Sequence, residues 1–138
     1  MIDLRKIFPR SPNETLGGYV HLPRMIDKAR AELAGTLGEY HWNCPLDQKL
    51  LPFLRVSADE FLRAVSKMKT DMELLDWVKT KADRTPAEIK KWSDKMRSRK
   101  PQTAQEKEWF AKYAAEIAPG RTDIKTFFDI LDADEKRK

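Results

Sequence analysis

The chain has 138 residues, 41% hydrophobic and 36% charged, which is enough apolar material for one domain with its own core. Its single cysteine, Cys44, excludes an intramolecular disulfide, and no uncharged apolar run approaches the ~18 residues of a membrane-spanning helix. The formal net charge of +5 accumulates in the second half and permits an anionic partner without specifying one.

The first residues, Met1-Ile2-Asp3-Leu4-Arg5-Lys6, lack the apolar run of a secretory signal, so a cytoplasmic, soluble protein is expected. Residues 1–22 read as an irregular N-terminal segment. Within it, Ser11/Glu14 has the spacing of a helix-start capping box with Pro12 at the first helical position. A period-two signal around Gly18–Leu22 is too short to predict a strand on its own. From Pro23, the residues Met25, Ile26, Ala29, Leu33 and Leu37 recur at helical spacing, with Gly38 as a candidate C-terminal cap. From Pro45, with Cys44 at the N-cap, Leu46, Leu50, Leu51 and Leu54 predict a short helix that Pro52 should bend or stop.

The second half is more regular. Capping boxes at Ser57/Glu60, Thr70/Glu73, Thr85/Glu88 and Thr103/Glu106 each precede an apolar stripe of helical period. A last helix is expected from Thr122, carrying Ile124, Phe127, Phe128 and Leu131, followed by a frayed polar tail over residues 132–138. The fold class that results is all-α: a compact single-domain bundle of about six to seven short helices with an irregular N-terminal loop region.

Four groups of residues could carry chemistry. Cys44 lies at a helix N-terminus, where unpaired N–H groups and the helix dipole favour a thiolate, and His41 or Asp27 could serve it as a base. His21, His41 and Cys44 are weak metal-ligand candidates, short of the two close pairs that structural sites use. On the helix from Pro23, Arg24, Asp27, Lys28 and Arg30 fall within two turns, and Asp27 could order Arg24 or Lys28 to grip an anion. The basic strip Lys79–Lys100, with Trp77 and Trp92, could meet nucleic acid, but Asp83, Glu88 and Asp94 interrupt it, and Trp92 shares the apolar stripe of Ile89 and Met96. No motif calls for a cofactor.

The segments Arg10-Ser11-Pro12, Glu14-Thr15-Leu16-Gly17-Gly18, His21-Leu22-Pro23-Arg24-Met25-Ile26-Asp27-Lys28, Gly35-Thr36-Leu37-Gly38-Glu39-Tyr40-His41 and Asn43-Cys44-Pro45-Leu46-Asp47 resemble a bacterial family known as domain of unknown function 5069. Trp92 after Thr85-Pro86, and Phe128-Asp129-Ile130-Leu131-Asp132, extend the resemblance. It implies a compact helical bacterial protein and no reaction. The expected function is a non-catalytic binding or interaction module. Its polar site would lie in residues 21–47, with Arg24, Asp27, Lys28, His21, His41, Asn43 and Asp47 facing a small anionic ligand or a protein partner. An enzyme using Cys44 with His41 or Asp27 is the first alternative, and nucleic-acid binding through residues 79–100 the second.

Overall fold

The computed structural model describes residues 2–137. Among these the chain forms seven helices and one two-residue-per-strand hairpin. The hairpin pairs β1 (Thr15–Leu16) with β2 (Tyr19–Val20). Gly17 and Gly18 both take positive φ in its two-residue turn, the backbone that matches strand twist. A Cβ on Gly17 would also sit 2.5 Å from Leu75 Cδ1. The helices are α1 (Leu22–Ala34), α2 (Pro45–Leu54), α3 (Ala58–Lys67), α4 (Asp71–Lys81), α5 (Pro86–Arg97), α6 (Ala104–Ile117) and α7 (Phe127–Asp134).

Four of the five Glu-based caps sit where the sequence places them. Ser57, Thr70, Thr85 and Thr103 each accept from the N–H of the Glu three residues on. Ser11/Glu14 is not a helix start. Residues Ser11–Glu14 form a turn in which Ser11 Oγ donates to Asp132 and accepts from Asn13 N–H, and this turn leads into the hairpin rather than an amphipathic run. The final helix begins at Phe127, not Thr122, because Thr126 caps it and Asp129, one methylene shorter than Glu, closes the box. The left-handed residue that ends α1 is Gly35, not Gly38. Pro52 removes one helical hydrogen bond without stopping α2, which runs on to Leu54 and ends at left-handed Arg55.

α1 is the axis of the molecule. Leu22 through Ala29, and Ala31, are buried, so this helix has no solvated face in its first two turns. Its apolar residues Leu22, Met25, Ile26 and Ala29 pack with Leu50, Leu54, Phe61, Val65, Leu74 and Val78 from α2, α3 and α4. A smaller cluster of Val20, Met96 and Phe128 ties the hairpin to α5 and α7, and Ser93 Oγ on α5 accepts Val20 N–H and donates to Gly18 C=O.

A helix buried on all sides cannot leave its charges unpaired. Arg24 donates two bonds to Glu135, at 2.8 and 2.7 Å. Asp27 accepts from the Arg10 guanidinium and from Arg10 N–H. Lys28 donates to Asp47 at 2.8 Å. Residues 132–137 are therefore not a frayed tail. Glu135 is buried, and Arg137 reaches Glu135, Asp132 and the Pro9 carbonyl. The polarity that suggests fraying is spent on fixed ion pairs.

Breaking a buried pair leaves a charge stranded. Arg24→Met is expected to lower unfolding free energy by about 3 kcal/mol in urea titrations. The exposed Lys90–Asp94 pair is the control, and Lys90→Met should leave the midpoint unchanged.

Candidate functional site

The site is built around Asp47, whose carboxylate is inaccessible to solvent. Asp47 is the third residue of α2, and its Oδ2 accepts the N–H of the N-cap residue Cys44 at 3.2 Å. This is the acidic half of a capping box, and it is turned inward. Oδ2 also accepts Lys28 Nζ, and Oδ1 accepts from His21 Nε2 at 2.7 Å. Lys28 Nζ lies 2.9 Å from Cys44 Sγ as well. One carboxylate thus joins α1, α2 and the residue preceding each.

Burial alone would raise the Asp47 carboxyl, but the hydrogen bonds from His21 and Lys28 and the charge of Lys28 outweigh it and hold it below the usual carboxylate range. Burial pushes His21 down from its ordinary range, and Asp47 only partly opposes this. The pair is therefore ionised Asp47 and neutral His21, with Nε2–H donating. That leaves Nδ1 as a bare acceptor. It is the buried side-chain polar atom without a hydrogen-bond partner among the described residues. His21 also holds a left-handed backbone (φ 68°) at the N-cap of α1, and Asn43 does the same (φ 62°) just before Cys44. Such conformations in residues other than glycine need support from their surroundings and gather at functional positions.

His21, Arg24, Lys28, His41 and Cys44 line one cleft of about 470 Å³ with Tyr40, Glu135 and Tyr113. Most of the sequence-predicted group thus converges. Asp47 does not itself line the cleft; it is buried and bonded to the His21 ring and the Lys28 ammonium. Asp27 does not join: it binds Arg10, which also reaches Asp71, so it orders neither Arg24 nor Lys28 and cannot serve Cys44. Asn43 is exposed, with its carbonyl taken by Gln48. Arg30 lies outside, against the Lys69 carbonyl and Asp71. His21, His41 and Cys44 share the cleft, yet no three His, Cys, Asp or Glu side chains among the described residues are grouped to hold a metal ion.

Sequence reading misses Glu135 and Tyr40. Tyr40 donates to Glu135 Oε2 at 2.8 Å, and its ring lies against the Arg24 guanidinium. Burial and Glu135 raise the Tyr40 hydroxyl, while burial of Glu135 is outweighed by Arg24, Tyr40 and Arg137, which hold its carboxyl below the usual range. No local pattern announces either residue.

The family model described as "Domain of unknown function (DUF5069)" matches residues 6–137. No curated protein matches the chain. No helix among the described residues is long and apolar enough to cross a membrane.

The titration of this site has a defined sign. Below pH ~6.5 an unfolded His21 gains a proton that the folded one resists, so stability falls as pH drops, by at most ~1.4 kcal/mol per pH unit for one proton. Asp47 adds to the loss only at lower pH, as the unfolded carboxyl protonates. Asn tolerates the left-handed backbone and has no group that titrates in this range. His21→Asn should therefore flatten the stability profile between pH 6.5 and 5 in urea unfolding.

Proposed function

The chain belongs to the DUF5069 family, whose name carries no activity, and from its geometry we propose that it is a non-catalytic binding module whose site is the cleft lined by His21, Arg24 and Lys28. The observation that carries this reading is the unpartnered Nδ1 of buried His21, a residue that lines a cleft rich in polar groups already tied to one another. Asp47 fixes the imidazole so that Nδ1 can only accept. The matching ligand group is an N–H or O–H.

The charges narrow the ligand further. Arg24 and Lys28 face the cleft but are already paired with Glu135 and Asp47, and Glu39 and Asp134 add negative charge to its walls. A bare anion would have to compete with two buried carboxylates. A small neutral or zwitterionic molecule with a donor group fits better. The experiment is a chemical-shift titration of ¹⁵N-labelled protein with primary amides, polyols and amino acids, and with acetate and phosphate as anionic comparators. The reading expects a neutral or zwitterionic compound to shift the His21 ring Nδ1 resonance. Shifts produced by the anions alone, or by no compound at all, would contradict it.

A second reading rests on a separate contact. The partner of the Cys44 sulfur is the Lys28 ammonium, rather than His41 or Asp27, and a cation placed on sulfur is how reactive thiols are set up. If Cys44 acts as a nucleophile, Lys28→Met should slow its alkylation by iodoacetamide at pH 7 severalfold, while the exposed His41→Ala changes it little. Equal rates in all three proteins would remove this reading.

A further inference from the structure

Beside the Asp47 cleft, the surface between α2, α5, α6 and α7 holds a trough with two chemically distinct halves. The first, of about 590 Å³, lies between α2 and the C-terminal end of α5. Lys49, Lys95, Arg99 and Lys100 line it together with the amides of Gln48 and Gln102, and no carboxylate lines it. Two other basic residues of α5 behave differently: Lys90 and Arg97 are both taken by Asp94. None of the four lining cations has a carboxylate within salt-bridge distance among the described residues. The Arg99 guanidinium instead lies over the Phe127 ring, 5.5 Å from its centroid.

The second half, of about 390 Å³, is walled by Leu46, Trp109, Phe127, Ile130 and Leu131. Trp109 is half-exposed there, stacked on Tyr113. Glu106 is the one acid in this half, and its Oε1 accepts from Gln102 N–H and Thr103 N–H as the cap of α6. The two halves share Lys49 and Arg99, so the cationic end opens onto the apolar one.

We propose that this trough binds an amphiphile with a phosphate head and a short apolar chain, the head on Lys49, Lys95, Arg99 and Lys100 and the chain along Trp109, Phe127 and Leu131. Four cations without acidic partners match a dianionic head better than a monoanionic one, and Arg99 can offer two parallel donors to phosphate oxygens. Both volumes fall within the usual range of small-molecule sites, roughly 300–1,000 Å³. The apolar half gives the chain a surface to leave water for, which inorganic phosphate or a nucleic-acid backbone would not use. The trough borders the Asp47 cleft at Cys44, Leu46 and Leu131, but its cations are not among the residues lining that cleft, so the inference does not depend on what the cleft binds.

The test is calorimetric titration with decyl phosphate below its micellar concentration, beside decanol, inorganic phosphate and a mixed single-stranded oligonucleotide. Decyl phosphate should bind at least about tenfold more tightly than decanol or inorganic phosphate, a difference of ~1.4 kcal/mol or more. The double variant Lys95→Glu/Lys100→Glu and the variant Trp109→Glu should each weaken it by about tenfold or more. All three side chains are exposed, so circular dichroism should stay unchanged. Equal affinity for decanol would show apolar partitioning only, and equal affinity for inorganic phosphate would show a head site without a chain site. Oligonucleotide binding tighter than that of decyl phosphate would show a nucleic-acid surface, and absence of binding would show no site. Each of these four results overturns the proposal.

Discussion

A carboxylate without access to water must be fully hydrogen-bonded or give up its charge. Asp47 keeps its charge by accepting from His21, Lys28 and the backbone of Cys44. These donors come from the N-cap of α1, the second turn of α1 and the N-cap of α2. The same three bonds fix the angle between the two helices, choose the tautomer of His21 and place an ammonium on the Cys44 sulfur. Without Asp47 there would be a buried lysine with no counter-charge and a histidine with no reason to hold one orientation. Whatever the cleft binds, its geometry is inherited from this carboxylate.

The network exists because the first two turns of α1 are buried on every side yet carry three charges. Each is answered from a different part of the chain: Arg24 by Glu135, Asp27 by Arg10, Lys28 by Asp47. Buried ion pairs seldom add net stability over apolar residues of the same shape. Their contribution here is specificity of placement. They tie the N-terminal segment, the start of α2 and the C-terminus to fixed heights along one helix. Tyr40 and Arg137 complete the Glu135 end, so the loop before α2 and the last residues close the same cleft from opposite sides.

The legible parts of the fold were local. Ser57, Thr70, Thr85 and Thr103 announce their helices because a cap and the apolar stripe it precedes lie within one or two turns of each other. Cys44-Pro45 ahead of Leu46, Leu50, Leu51 and Leu54 announces α2 in the same way. The illegible parts were long-range. The burial of α1 could not be read from its period, since Arg24, Asp27 and Lys28 look like a solvated face until partners 111, 17 and 19 residues away are known. The same distance hides the role of Glu135 and makes residues 132–137 look like a tail. Ser11/Glu14 misleads because the hydroxyl has a stronger partner in Asp132. Thr126/Asp129 escapes notice because the box closes with Asp instead of Glu. That His21, Arg24, Lys28, His41 and Cys44 line one cleft agrees with the polar, glycine- and proline-rich character of residues 21–47, while the separation of Asp27 and Asn43 from it left no mark in the sequence.

The central claim is that an ionised, buried Asp47 holds His21 neutral with its proton on Nε2. Nitrogen-15 NMR of the imidazole ring reads protonation and tautomer together. The account predicts a neutral ring at pH 7 with Nε2 protonated and Nδ1 bare. An imidazolium at pH 7, or a neutral ring protonated on Nδ1, would contradict it.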